Sequence, residues 1–220
     1  MDDLPAAHVV WLLGQDEQWL RPRHHAVVTA ARAAALCDVV ASGAAEWVDG
    51  PGGAAVRPGP AAGTGDGGLV ASWGAAMAAA GPGPVPVVQA LDAIGPDLWD
   101  RLGNDVVRRG AALAVPRRVR RWRPPRCRPR REVVEPLRHH LLAVVAGATP
   151  AGARDEAVLA SASCAGVLEH VLSDTAFGDL GVVAPAEALL RGNELVARLE
   201  PAVSSLTSLG PLTGHPPPSG

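Results

Sequence analysis

Nine of the chain's 20 arginines, Arg117, Arg118, Arg120, Arg121, Arg123, Arg126, Arg128, Arg130 and Arg131, fall within fifteen residues, and there is no lysine anywhere. Guanidinium groups are permanently charged and present fixed donor forks, so a cluster of them points to an anionic partner. The formal net charge of −2 hides an asymmetry, because without these nine arginines the chain would stand at −11. An acidic body carrying a basic strip fits phospholipid, nucleic acid or an acidic protein face, and a solvated charge run is the plain alternative. Val119 and Trp122 are the only large apolar groups between the charges. Pro116, Pro124, Pro125 and Pro129 each remove a backbone donor and fix φ, which rules out a continuous helix. The strip therefore reads as a short ribbon or an extended arm.

A second candidate stands alone. Arg32 is the one charge before Asp38 in an otherwise apolar stretch, Ala26 to Ala41, that reads as a central, buried helix. A guanidinium cannot shed its proton in a protein, so on a buried helix it must meet a carboxylate, several carbonyls or a bound anion. The alternatives are an internal ion pair and a phosphate pocket.

Other chemistry finds little support. No HExxH, GxSxG or EF-hand loop occurs, and without tyrosine or lysine neither a phenol acid nor a Schiff base is available. Cys37, Cys127 and Cys164 are far apart and form no CxxC, so neither a disulfide framework nor a zinc site is signalled, and a reducing cytosol suits them. His24-His25 and His139-His140 are adjacent pairs whose rings diverge on a helix, unlike the i, i+4 pairs that share a metal. Gly63-Thr64-Gly65-Asp66 reads better as a loop capping the next helix than as a phosphate cradle, because no lysine completes a Walker A motif. No catalytic residue, metal or cofactor is expected. Met1-Asp2-Asp3 has the wrong sign for a secretory leader, and no apolar run reaches the ~18 residues that a membrane span needs.

The pattern as a whole is mainly α: one domain over residues 1–209 with small β-hairpins, one of them projecting and arginine-rich, and a disordered tail over 210–220. Asp3 is placed to cap a helix from Leu4 to Leu13. Glu46–Asp49 and Ala54–Arg57 flank Gly50-Pro51-Gly52-Gly53 as a hairpin. Helices are expected over 68–80, 87–93 and 96–109. Gly110 stops the last of these before a strand at Ala111–Val115 and a turn at Pro116-Arg117. Beyond the strip, Glu132–Ala146 is helical, with a start that Pro136 can delay. Pro150–Leu172 is helical with breaks at Gly152 and Gly166, and helices over Val182–Leu190 and Asn193–Leu206 follow, Pro201 interrupting the second.

In order, these pieces resemble the Golgi phosphoprotein 3 family, specifically its short actinobacterial members. The similarity runs from about Leu12 to Leu206 over several weak blocks. They are Arg32 to Glu46 with its arginine, acid and glycine before a strand; Gly63-Thr64-Gly65-Asp66 before an apolar helix; Leu98 to Leu113, where a helix ends in Arg108-Arg109-Gly110 and enters a hairpin; the arginine-proline passage before Glu132; and Ala157 to Leu168. The resemblance implies a helical domain with a projecting hairpin. It implies a non-enzymatic, cytoplasmic protein attached peripherally to a membrane, since eukaryotic relatives bind phosphatidylinositol 4-phosphate and help retain glycosyltransferases at the Golgi. In the family's lipid pocket a tryptophan and several basic residues hold the headgroup. Arg32 falls where one of those arginines belongs, Arg23 falls at the tryptophan position, and Arg101 lies close to the others, which map near Pro96 and Trp99. The expected lipid-contacting residues are thus Arg32, Arg101, Arg117, Arg118, Arg120, Arg121, Trp122 and Arg123. The expected partner is an anionic membrane lipid, with a protein partner beside it if the chain is an adaptor. The alternative is a nucleic-acid binder that lays the basic ribbon on the phosphate backbone, against which stand the acidic body and the lack of a recognition helix with exposed polar readers.

Overall fold

The structure, a computed structural model, describes residues 4–15, 24–62, 73, 81, 83–95, 97–115, 126–173 and 181–208. Along the chain come α1 (Ala6–Leu13), α2 (His24–Ala41), β1 (Ala45–Gly50), β2 (Gly53–Pro58), β3 (Val85–Pro86), α3 (Val87–Ala93), α4 (Leu98–Arg108), β4 (Ala112–Val115), β5 (Arg126–Pro129), α5 (Arg131–Val145), α6 (Ala153–Cys164), α7 (Leu168–Leu172), α8 (Val183–Leu190) and α9 (Glu194–Ser208). The protein is mainly α, with two small antiparallel sheets, as its apolar periodicity predicts.

The least polar helix is the axis of the fold. Ala30, Ala31, Ala33, Ala34 and Ala35 of α2 are fully buried with Val27, Leu36 and Val39. Such short side chains let α1, α6 and α9 pack close along it. Leu12, Leu13, Leu91, Leu98, Leu102, Leu141, Leu159, Leu172 and Leu199 fill the space between the helices in one continuous core.

α1 is buried on every side, so its free N-terminal donors need partners from inside the protein. They find Asp38: its Oδ1 accepts from the Ala6 amide at 2.8 Å and its Oδ2 from Ala7 at 2.9 Å. This corrects the expected start at Leu4. The helix begins after Pro5, which offers no side-chain cap, and the acid that completes it comes from α2; Asp3 lies outside the described residues.

β1 and β2 pair from Ala45↔Pro58 to Gly50↔Gly53, as the proline-glycine turn predicts, and β3 joins β2 through Ala55↔Pro86 and Val56↔Val85. The helix expected over 68–80 and its caps Thr64 and Asp66 lie outside the described residues apart from Trp73. That residue is helical and buried, and its indole Nε1 donates to the Ala90 carbonyl at 3.3 Å. The tail over 210–220 lies outside them as well.

α4 starts at Leu98 and ends as expected at Gly110, whose φ of +72° is the left-handed conformation that glycine adopts without strain. The Gly110 amide returns to Val107 O and the Ala111 amide to Val106 O, closing the helix and aiming the chain into β4. Prolines interrupt the later helices less than their chemistry predicts. α5 already begins at Arg131 and carries Pro136 inside, and α9 runs through Pro201 unbroken. Both prolines are exposed, as are Glu132 and Ala197, whose carbonyls lose their helical donor and can take water instead.

Candidate functional site

The basic strip hangs on a short antiparallel stem. β4 and β5 pair as Ala112↔Pro129, Leu113↔Arg128, Ala114↔Cys127 and Val115↔Arg126, and the Arg130 amide extends the ladder to Ala111 O at 2.9 Å. The return strand is therefore the second half of the strip. Arg117, Arg118, Arg120, Arg121, Trp122 and Arg123, with the expected turn at Pro116-Arg117, lie outside the described residues, between the two strands.

The stem is seated on the body at Gly103 of α4. A Cβ at this position would stand 3.1 Å from Trp11 Cζ2 and 3.5 Å from Cys127 Sγ, so a missing side chain is what lets α1, α4 and β5 converge. Trp11 is fixed there by an indole hydrogen bond to Trp99 O at 3.0 Å and by the tilted Trp99 ring at 5.5 Å. Because strand residues alternate between faces and Cys127 lies against α4, Leu113 and Val115 belong to the opposite face. They are 47% and 38% exposed, and among the described residues only Leu189 is a further exposed large hydrophobic side chain. Their register partners are Arg128 and Arg126. The face turned away from α4 thus holds the apolar side chains of β4, in register with the arginine positions of β5.

At the root of the stem the arginines meet carboxylates. Asp105, in the last turns of α4, accepts from Arg108 Nη2 on Oδ1 at 2.8 Å and from Arg109 Nε on Oδ2 at 2.8 Å. His8 of α1, which is buried, meets the same Oδ2 through Nε2 at 2.6 Å. Burial holds the His8 imidazole below its ordinary pKa in spite of the carboxylate. Asp105 stays below the usual carboxylate range because the bonds from Arg109 and His8 together outweigh its own desolvation. On the far side of the stem Arg130 meets Glu132 at 3.3 Å and Arg131 meets Glu135. From Val106 to Arg131 the sequence holds no Asp or Glu, so Arg117 to Arg126 have no acidic neighbour along the chain.

Arg32 stands at the edge of the core in a long ion pair. Its side chain is 14% exposed, and Nη1 lies 3.9 Å from Oδ1 of Asp92 on α3, a carboxylate that is itself 61% exposed. That distance exceeds a hydrogen bond, and the buried Nε has no partner. Arg32 is thus an under-satisfied cation at the edge of the core. Arg101 sits on α4, half exposed, with Nε 2.8 Å from Asp97 Oδ2 one turn earlier.

The histidines work as ties between elements. His25 Nε2 bonds to Leu206 O at 2.8 Å, His170 Nε2 to Gly14 O at 3.1 Å, and His140 Nε2 to the buried Asp155 at 3.0 Å. Burial pushes the thiols of Cys37 and Cys164 up to about 12, far from a reactive thiolate. Among the described residues no group of three or more His, Cys, Asp or Glu could hold a metal ion, and no helix is long and apolar enough to cross a membrane.

Two features escape sequence reading to different degrees. Asp105 precedes Arg108 and Arg109 at i+3 and i+4, a spacing that signals helical ion pairs. His8 gives no signal, because its partner is 97 residues away. Compared with protein-family models and with curated proteins, the chain finds no match.

Proposed function

We propose that this chain is a non-enzymatic peripheral membrane protein that docks on anionic phospholipid through the arginine-rich hairpin. The observation that carries the proposal is the outer face of the stem, where Leu113 and Val115 are exposed and in register with the arginine positions Arg128 and Arg126. An anionic leaflet offers both halves a partner: phosphates for the guanidinium groups and acyl boundary for the aliphatic side chains. Each arginine near such a surface contributes roughly 1 kcal/mol, so half of the strip supplies reversible attachment. The resemblance to the Golgi phosphoprotein 3 family supports the same reading.

The stem is the part to test. Converting the remaining exposed surface of Leu113 and Val115 into membrane contact is worth about 1 kcal/mol each. The exchange L113S/V115S should then weaken partition onto vesicles of phosphatidylcholine and phosphatidylserine by about 25-fold, with the preference for anionic over neutral vesicles retained. Unchanged partition, or a wild-type chain that binds neutral and anionic vesicles equally, overturns the proposal. A steep salt slope on duplex DNA with no binding to vesicles transfers the strip to nucleic acid.

A further inference from the structure

One carboxylate at the hairpin root holds two arginines that a membrane surface would otherwise reach. We propose that Asp105 is an internal counter-ion that masks Arg108 and Arg109, so that the anion-binding surface begins at the strip and not at the helix before it. The inference rests on the docking reading above and concerns what limits that same surface. Arg109 Nε and His8 Nε2 share Oδ2 at 2.8 and 2.6 Å, while Arg108 Nη2 takes Oδ1 at 2.8 Å.

His8 makes the mask rigid. Its side chain is only 6% exposed, and Asp105 assigns the ring proton to Nε2, leaving Nδ1 buried without a partner. A ring fixed in the core therefore donates to the carboxylate from the inside and aims it at the two guanidinium groups outside. Asp105 is 22% exposed, against 46% for Arg109 and 77% for Arg108. An approaching anion must compete with an acceptor that is already placed and partly shielded from salt. Arg109, on the oxygen that His8 holds, is the better retained of the two. Beyond the stem, Glu132 and Glu135 do the same for Arg130 and Arg131. One carboxylate thus serves two arginines on the helix side of the root, and two serve two beyond the stem.

The test is cosedimentation of the full chain with phosphatidylcholine–phosphatidylserine vesicles, comparing wild type, D105N, R108Q/R109Q and D105N/R108Q/R109Q. A masked pair predicts that R108Q/R109Q loses less than about twofold, whereas D105N gains about fivefold, the worth of one arginine released to the surface. The triple exchange should return to the wild-type level. A loss of about 25-fold in R108Q/R109Q, the worth of two free arginines, overturns the mask, and so does a folded D105N that binds no better than wild type. If D105N does not fold, R108Q/R109Q decides alone, since it leaves the His8–Asp105 contact intact. If neither wild type nor a folded D105N sediments with anionic vesicles, the docking reading itself falls.

Discussion

Replacing Asp38 with asparagine separates two opposed effects at the start of α1. The carboxylate accepts from the Ala6 and Ala7 amides at 2.8 and 2.9 Å, on residues that are fully buried. Asparagine keeps one acceptor oxygen and turns its amide toward the other N–H, leaving a buried donor unpaired at a cost of about 1–3 kcal/mol. Against this, burial pushes the Asp38 carboxyl from 3.8 up to about 6 even though both amides pull it down. Keeping it ionised at pH 7 therefore costs about 3 kcal/mol, which asparagine does not incur. With a folded pKa above the unfolded one, the folded chain holds more protons between pH 3.8 and about pH 6. The contribution of Asp38 is thus fully present below the lower value and lost as pH rises through the upper one. D38N should be close to neutral at pH 7 and destabilising at pH 4, a change of roughly 6–12 °C in the difference between melting temperatures. Far-UV circular dichroism melts of both proteins at pH 4, 5, 6 and 7 read that difference directly, and groups common to both cancel. A gap that widens toward pH 7 would refute the reasoning. It would mean that the two amides and the helix end stabilise the charge more than burial opposes it.

Two further outcomes follow from single contacts. Arg32 gains little from its 3.9 Å approach to exposed Asp92, so R32M should leave stability unchanged or raise it by up to about 1 kcal/mol; a loss above about 2 kcal/mol by urea denaturation would make Arg32 a structural residue. Gly103→Ala gains about 1 kcal/mol in helix propensity but drives a methyl to 3.1 Å from the pinned Trp11 ring. It should therefore lower the melting temperature, and a more stable G103A would show that the seat of the hairpin has slack.

The parts of this fold that were legible in the sequence are those set by local chemistry. Gly43 and Gly110 end helices where their positive φ allows it, and the Gly50–Gly53 turn fixes the register of its hairpin. The apolar run around Ala30–Val39 announces a buried helix. Features set by partners far along the chain were not legible. The cap of α1 comes from Asp38, 32 residues from Ala6. Arg126–Pro129 is short and poor in strand formers, and it becomes a strand because Ala112–Val115 offers it a ladder beside Trp11 and Gly103. Pro136 and Pro201 mislead because their penalty depends on exposure, which a single sequence hides. Of the candidate site, the density of arginine could be read directly. The local spacing also signals the pairs at Asp105 and Glu135, whereas the His8 contact that fixes Asp105 needed the tertiary structure.

The central claim is that the strip between β4 and β5 attaches this protein to anionic lipid. It is tested most directly by vesicle sedimentation of the wild type and of a chain in which Arg117, Arg118, Arg120, Arg121 and Arg123 are serine. At roughly 1 kcal/mol per arginine, the wild type should partition onto anionic but not neutral vesicles, and the serine chain should lose at least about a hundredfold while melting at the same temperature. Equal binding to both kinds of vesicle, or a serine chain that binds as the wild type does, would contradict the claim.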